Sequence, residues 1–99
     1  MGTLWILADA LAEIANAREW YDLQCPGLGN DFLDALEAAL NSLLAFPSAY
    51  PVNYRDARRV LLERFPYCLF YRTDGEDVVV VACLHAARNP TGKRRRLRG

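Results

Sequence analysis

The sequence predicts an α+β fold, a two-layer sandwich. An N-terminal strand and an antiparallel helical hairpin lie on a mainly antiparallel four-stranded sheet, in the order β-α-α-β-β-β. Three observations carry this. Two segments of helical periodicity in the first half are parted by a short Pro/Gly break. Three apolar segments in the second half are joined by two tight-turn signals. The chain is 99 residues long and 53% hydrophobic, enough for one domain with one core. In so small a chain the helices need an apolar floor and the sheet needs a cover, so each packs on the other.

Each element has a local reason. Leu4-Trp5-Ile6-Leu7 is a short apolar run suited to an edge strand. From Ala8 the pattern becomes helical: Leu11, Ile14, Ala15, Ala17, Trp20 and Tyr21 recur at three- and four-residue steps, with Glu13, Asn16 and Glu19 between them. Cys25-Pro26-Gly27-Leu28-Gly29 breaks that helix, because proline lacks a donor and glycine accepts left-handed backbone angles. Asn30 or Asp31 is placed to cap a second helix with the apolar face Phe32, Leu36, Ala39, Leu40, Leu43 and Leu44. The break is short, so the helices run antiparallel. Phe46-Pro47 ends the second helix.

Residues 47–57 read as a loop. Residues 59–65, 67–72 and 78–84 read as the second, third and fourth strands, with Pro66 at one connection and Asp74-Gly75 in the other. The fourth strand is apolar at consecutive positions, which suits a central strand covered on both faces. Residues 1–90 thus form the domain, and 91–99 (TGKRRRLRG) a basic tail.

The charge is uneven. Residues 1–50 hold seven acids and one base, and residues 51–99 hold five acids and eleven bases, so the halves are −6 and +6 while the whole is neutral. One surface then suits a polyanion or an acidic partner, unless the halves neutralise each other in surface pairs. No apolar run approaches the ~20 residues of a membrane span. The Leu4–Leu7 run is too short for a signal-peptide core, so a cytoplasmic location is expected. Cys25, Cys68 and Cys83 have no CxxC spacing. Free thiols in a reducing compartment are expected, with no metal site.

No P-loop, GxSxG, HExxH or EF-hand pattern is present, and no cofactor is implied. His85 is the single histidine. What remains is a set of arginines (Arg55, Arg58, Arg59, Arg64, Arg72 and Arg88) accompanied by Tyr54, Tyr67, Tyr71 and His85. Metal-free RNA cleavage needs a proton acceptor, a proton donor and cations for the developing charge. For that chemistry His85 or Tyr67 would move protons, and Arg64 with Arg88 would hold the phosphate. The alternative for Tyr67 and Tyr71 is packing under the helices, since they share one face of a strand.

These residues together resemble the RelE/ParE superfamily of toxins from bacterial type II toxin–antitoxin systems. The matching pieces are residues 8–21 ending in Trp20-Tyr21, Pro26-Gly27-Leu28-Gly29 followed by Phe32, Phe46-Pro47 and Pro51. They continue with Arg58-Arg59, Arg64-Phe65-Pro66-Tyr67, Tyr71-Arg72 and His85-Ala86-Ala87-Arg88-Asn89-Pro90. The helical hairpin, the Phe65-Pro66-Tyr67 motif and the ending around His85 and Arg88 resemble the ParE-like branch, which inhibits DNA gyrase. RelE-like members cut messenger RNA on the ribosome, and Arg64 and Arg88 lie near arginines of that branch. The lysine cluster such nucleases often carry before the second strand is absent, and no tyrosine follows Arg88.

The resemblance implies a cognate antitoxin as partner, with an amphipathic helix over the hairpin and an extended arm along the sheet; an acidic arm would suit the basic half. Trp5, Trp20, Tyr50 and Tyr54 are the expected antitoxin anchors. Arg58, Arg59, Arg88, Lys93, Arg94, Arg95 and Arg96 are the expected contacts to gyrase, or to the ribosome and its mRNA. The resemblance places DNA binding on the antitoxin rather than on this chain.

Overall fold

The computed structural model describes residues 2–87. Its elements are β1 (Leu4–Ile6), α1 (Ala8–Gln24), α2 (Leu28–Ala45), β2 (Val52–Tyr54), β3 (Ala57–Leu61), β4 (Tyr67–Asp74) and β5 (Asp77–His85). The helices form one layer. The strands form a five-stranded sheet in the order β1-β5-β4-β3-β2. The α+β sandwich is as expected, with one strand more than the sequence suggested.

The extra strand is β2, within the stretch read as a loop. It pairs antiparallel with β3 through Val52↔Arg58 and Tyr54↔Ala57, with a register shift between them. Arg55, at φ 52°, starts the tight reversal that makes this pairing possible. Two prolines in residues 47–57 hide so short a strand from periodicity. The next strand is correspondingly displaced. It spans Ala57–Leu61 rather than 59–65, and residues 62–66 form the connection. There the Leu62 N–H donates to the Tyr67 carbonyl (2.9 Å) and the Tyr67 N–H to the Phe65 carbonyl (2.8 Å).

β1 runs parallel to β5, with Leu4↔Val78, Trp5↔Val79 and Ile6↔Val80. β4 pairs antiparallel with both β3 and β5. β5 is interior, as its apolar run suggested, but β4 holds the middle of the sheet. Opposite Phe70 and Tyr71 the β5 register steps from Ala82 to Val80, leaving Val81 as a bulge. The bulge shifts the alternation, so Val78, Val80 and Cys83 join the core under the helices while Val81, Ala82 and Leu84 join a smaller cluster with Ala57, Cys68 and Phe70.

α1 turns Ala10, Ile14 and Ala17 to the sheet, with Tyr21 following on the same face. Leu11 and Trp20, expected in that face, are exposed. The small side chains of Ala10 and Ala17 let the helix settle closely on β5, and that choice of face turns Leu11 and Trp20 outward.

The start of α2 also differs from expectation. Gly27, left-handed at φ 91°, is its N-cap, and no side chain of its own caps it. The donor at Gly29 is taken by the Asp22 carboxylate of α1 at 2.7 Å. A cap from the neighbouring helix satisfies an orphan N–H as well as a local one. Gly75, at φ 62°, makes the β4–β5 turn between Asp74 and Asp77.

Candidate functional site

The two ends of the helix–sheet interface are built differently. At the hairpin end, aromatic rings converge from α1, α2, the β3–β4 connection and β4. Tyr21 is the hub: its ring stacks on Phe32 at 5.5 Å and meets Phe65 edge-on at 4.9 Å, Tyr67 at 6.0 Å and Trp20 at 5.1 Å. Burial, and then the neighbouring Tyr67 hydroxyl, push the Tyr21 phenol pKa above its ordinary value.

Phe65-Pro66-Tyr67 fixes this end. Phe65 is buried, and the Pro66 carbonyl accepts the Ala86 N–H at 2.7 Å, tying the end of β5 to the β3–β4 connection. Tyr67 lies edge-on to His85 at 5.3 Å. His85 Nδ1 accepts the Ala87 N–H at 3.1 Å. These rings border an open cleft of about 380 Å³ lined by Trp20, Tyr21, Pro66, Tyr67 and His85. Trp20 is its outer wall and is 55% exposed.

An adjoining cleft of about 280 Å³ shares Trp20 and Tyr67 and adds Glu13, Asn16, Ala17 and Cys83. Here β1 has ended, and among the described residues no further strand pairs with β5 on that side. Glu13 Oε1 accepts the Cys83 N–H at 2.9 Å. A carboxylate at a sheet edge takes up a donor that would otherwise invite another strand.

The opposite end is polar. The hydroxyls of Ser42 and Tyr50 share a hydrogen bond of 2.6 Å, the Tyr71 hydroxyl donates to the Pro47 carbonyl at 2.7 Å, and Tyr50 meets Tyr71 edge-on at 6.5 Å. Arg58 donates to the carbonyls of Ser48 (3.3 Å) and Tyr50. Burial raises the Tyr71 phenol pKa; Arg58 opposes that shift and Tyr50 adds to it.

The structure therefore distributes the sequence candidates unevenly. Tyr67 and His85 are brought together. Arg64 is not joined to them: its partners are Asp31, at 3.7 Å, and the Phe65 ring, at 5.6 Å. Arg64 is also left-handed at φ 71°, a costly conformation for a side-chain-bearing residue. Arg58 is occupied with loop carbonyls. Arg59 lies partly buried on β3, opposite Phe70.

Trp5 is exposed on the sheet face opposite Leu4 and Ile6, beside Val79. Tyr50, expected as an anchor, is partly buried in the polar network. The side chain of Tyr54, and Arg88, Lys93, Arg94, Arg95 and Arg96, lie outside the described residues. Among the described residues no group of three His, Cys, Asp or Glu gathers to hold a metal.

Sequence reasoning missed Tyr21 as the hub and Glu13 as the edge cap. A signal existed for Glu13, since Glu13, Asn16 and Trp20 are spaced three and four residues apart and so share one stripe of α1.

The model of the ParE toxin of the type II toxin–antitoxin system parDE matches residues 6–90. This chain belongs to the ParE toxin family. Among solved structures, a chain of the chromosomal ParDE system from P. aeruginosa superposes with a TM-score of 0.65 at 16% identity, covering 86% of this chain and 96% of that one. The isolated E. coli RelE toxin superposes with a TM-score of 0.65 at 20% identity, covering 99% of this chain and 98% of that one. At these identities the likeness is one of fold. A comparison with curated protein sequences gives no match. Trp20-Tyr21 and Phe65-Pro66-Tyr67, two of the pieces that carry the resemblance in the sequence, are the residues that close the hairpin end. As the toxin of a type II pair, this ParE-family chain has an antitoxin as its partner.

Proposed function

We propose that this chain acts in the cytoplasm as an inhibitor of DNA gyrase, held inactive by its cognate antitoxin. The observation that carries the reading is the ParE family match across residues 6–90. The site chemistry supports inhibition by binding over RNA cleavage. Tyr67 is built into the aromatic cluster, His85 Nδ1 is engaged by a backbone donor, and Arg64 is held toward Asp31. A nuclease needs cations and a proton acceptor around one phosphate. In this reading the antitoxin covers the helical layer, where Leu11, Trp20 and Leu23 are exposed. Gyrase is met by Arg59 and by the cations from Arg88 to Arg96, and Arg58 shapes the loop through the Ser48 and Tyr50 carbonyls.

The test is to add the purified chain to gyrase and supercoiled plasmid and, separately, to a translating extract. Expected are loss of supercoiling activity or trapped cleavage complexes, with transcripts intact. Cut transcripts and unaffected gyrase would replace this reading with the RelE-like one.

A further inference from the structure

A further cleft, of about 150 Å³, lies at the border of α2 and β3, and Ala35, Ala38, Ser42, Tyr50, Leu61 and Glu63 are among its walls. That is roughly ten times the room one water needs. It sits where the pairing of β2 with β3 stops. β2 pairs with Ala57 and Arg58, and the Arg59 N–H donates to the Pro51 carbonyl at 3.2 Å. Before Pro51 the chain is in the turn at 47–50. Among the described residues no strand lies beside Leu61 on the side away from β4.

The ladder fixes where the Leu61 main chain points. In an antiparallel pair, successive residues turn their N–H and C=O to alternate sides. The Leu62 N–H donates to the Tyr67 carbonyl on the β4 side, and the Arg59 N–H points away from β4, to Pro51. Leu61 is in phase with Arg59, so its N–H and C=O also point away from β4, at the border of the cleft. Val60 is buried under the helices, so the Leu61 side chain turns to the opposite sheet face.

The other walls add chemistry to this edge. Ala35, Ala38 and Ala39 of α2 place no long side chain over it. The Ser42 and Tyr50 hydroxyls share one hydrogen bond, which uses one of their two hydrogens; the other has no acceptor among the described residues. Glu63 has no ion-pair partner among the described residues, and α2 carries Asp31, Asp34 and Glu37 with no base. An unpaired N–H and C=O at a sheet edge match the main chain of another strand. The alanines leave room for a small side chain on it, the spare hydroxyl hydrogen suits a carbonyl, and Glu63 suits a cation.

We propose that this cleft takes an extended segment of the antitoxin. Its main chain pairs with Leu61, in line with β2, with a small side chain on the α2 alanines and a lysine or arginine beside Glu63. The proposal rests on the antitoxin reading for the chain that supplies the segment. It makes the segment basic at this point, whereas the arm expected on the basic half of this chain is acidic.

Amide hydrogen exchange is followed by NMR on the free full-length chain and on its complex with the antitoxin. The Leu61 amide should exchange freely in the chain alone and roughly a hundredfold or more slowly in the complex. Antitoxin affinity is measured for the wild type, Ala38→Phe and Glu63→Lys. Both positions are exposed, and each variant's fold is checked by circular dichroism. Ala38→Phe fills the cleft and should weaken binding roughly tenfold or more. Glu63→Lys should weaken it severalfold, less so at high salt.

A Leu61 amide already protected in the free chain overturns the proposal, because the edge is then taken. A complex that slows other amides and leaves Leu61 unchanged also overturns it, while the antitoxin reading stands. So does antitoxin affinity unaltered in both variants. Protection of Leu61 by gyrase and not by the antitoxin gives the edge to a different partner, and the proposal falls. If the wild type binds no antitoxin at all, the antitoxin reading itself fails and takes the proposal with it.

Discussion

Tyr71 shows how one side chain serves both core and loop. Its ring is fully buried, and its hydroxyl donates to the Pro47 carbonyl. The raised phenol pKa has a definite consequence. A phenol whose folded pKa exceeds its unfolded value of about 10 keeps its proton longer in the native state. Its contribution is therefore intact below about pH 10 and is lost as pH climbs through the folded value. Tyr21 shifts in the same direction. Melting temperature should hold between pH 7 and 9 and fall steeply above 10. Tyr71→Phe should melt lower at neutral pH, because the Pro47 carbonyl loses its donor, by about 1–2 kcal/mol. Its alkaline decline should be shallower. A variant with the wild-type slope would remove Tyr71 from this account.

At the scale of elements, the helix–helix contact depends on one glycine. A Cβ at Gly29 would lie 2.7 Å from the Arg18 carbonyl oxygen and 2.7 Å from Asp22 Oδ1. The first is backbone and cannot move aside; the second is the cap of α2. Gly29→Ala therefore pushes the helices apart despite alanine's better helix propensity. The expected loss is about 1–3 kcal/mol, as in overpacked cores, read by urea denaturation. Asp22→Ala should cost less, about 1 kcal/mol, because it removes the cap without forcing a clash. If Gly29→Ala stabilised the chain, the close approach would be wrong.

The same scale shows what could be read in advance. Both helices, the Asp74-Gly75 turn and the apolar strands at 67–72 and 78–84 were legible, because periodicity and turn chemistry act within a few residues. β2 was not legible. It has three residues and takes its stability from β3 rather than from its own pattern. The cap of α2 was misplaced for a similar reason, since its acceptor belongs to another helix.

For the molecule as a whole, cohesion is graded across the sheet. β4 and β5 pair from Tyr67↔His85 to Asp74↔Asp77 and have buried clusters on both faces. β2 is short, irregularly paired and exposed at Val52. Amide exchange should follow this order, with the amides of β4 and β5 opening only on global unfolding and those of β2 exchanging orders of magnitude faster. Protection of β2 equal to that of β4 would contradict the gradient. The gradient leaves the molecule with a firm floor and a hairpin end closed by aromatic rings. In the proposed function the antitoxin is held on the helical layer that this floor carries.

The candidate site was only partly visible beforehand. Trp20, Tyr67 and His85 stood out as residues, but nothing local indicated that they border one cleft, since they come from a helix and two strands. Nor could sequence separate the arginines. Arg58 and Arg59 are neighbours, and the alternation of a strand sends one to the Ser48 and Tyr50 carbonyls and the other to the opposite face. By itself the sequence determined the kind and order of the main elements, the acidic helical half, the basic second half and the family resemblance. The elements and the charge division follow from composition and short-range pattern, and the resemblance rests on the motifs that carry it. The tertiary structure alone decided which face of α1 turned outward, which donors Asp22 and Glu13 satisfy, and where the aromatic rings meet. Those outcomes depend on packing between segments distant in the chain, which no local periodicity encodes.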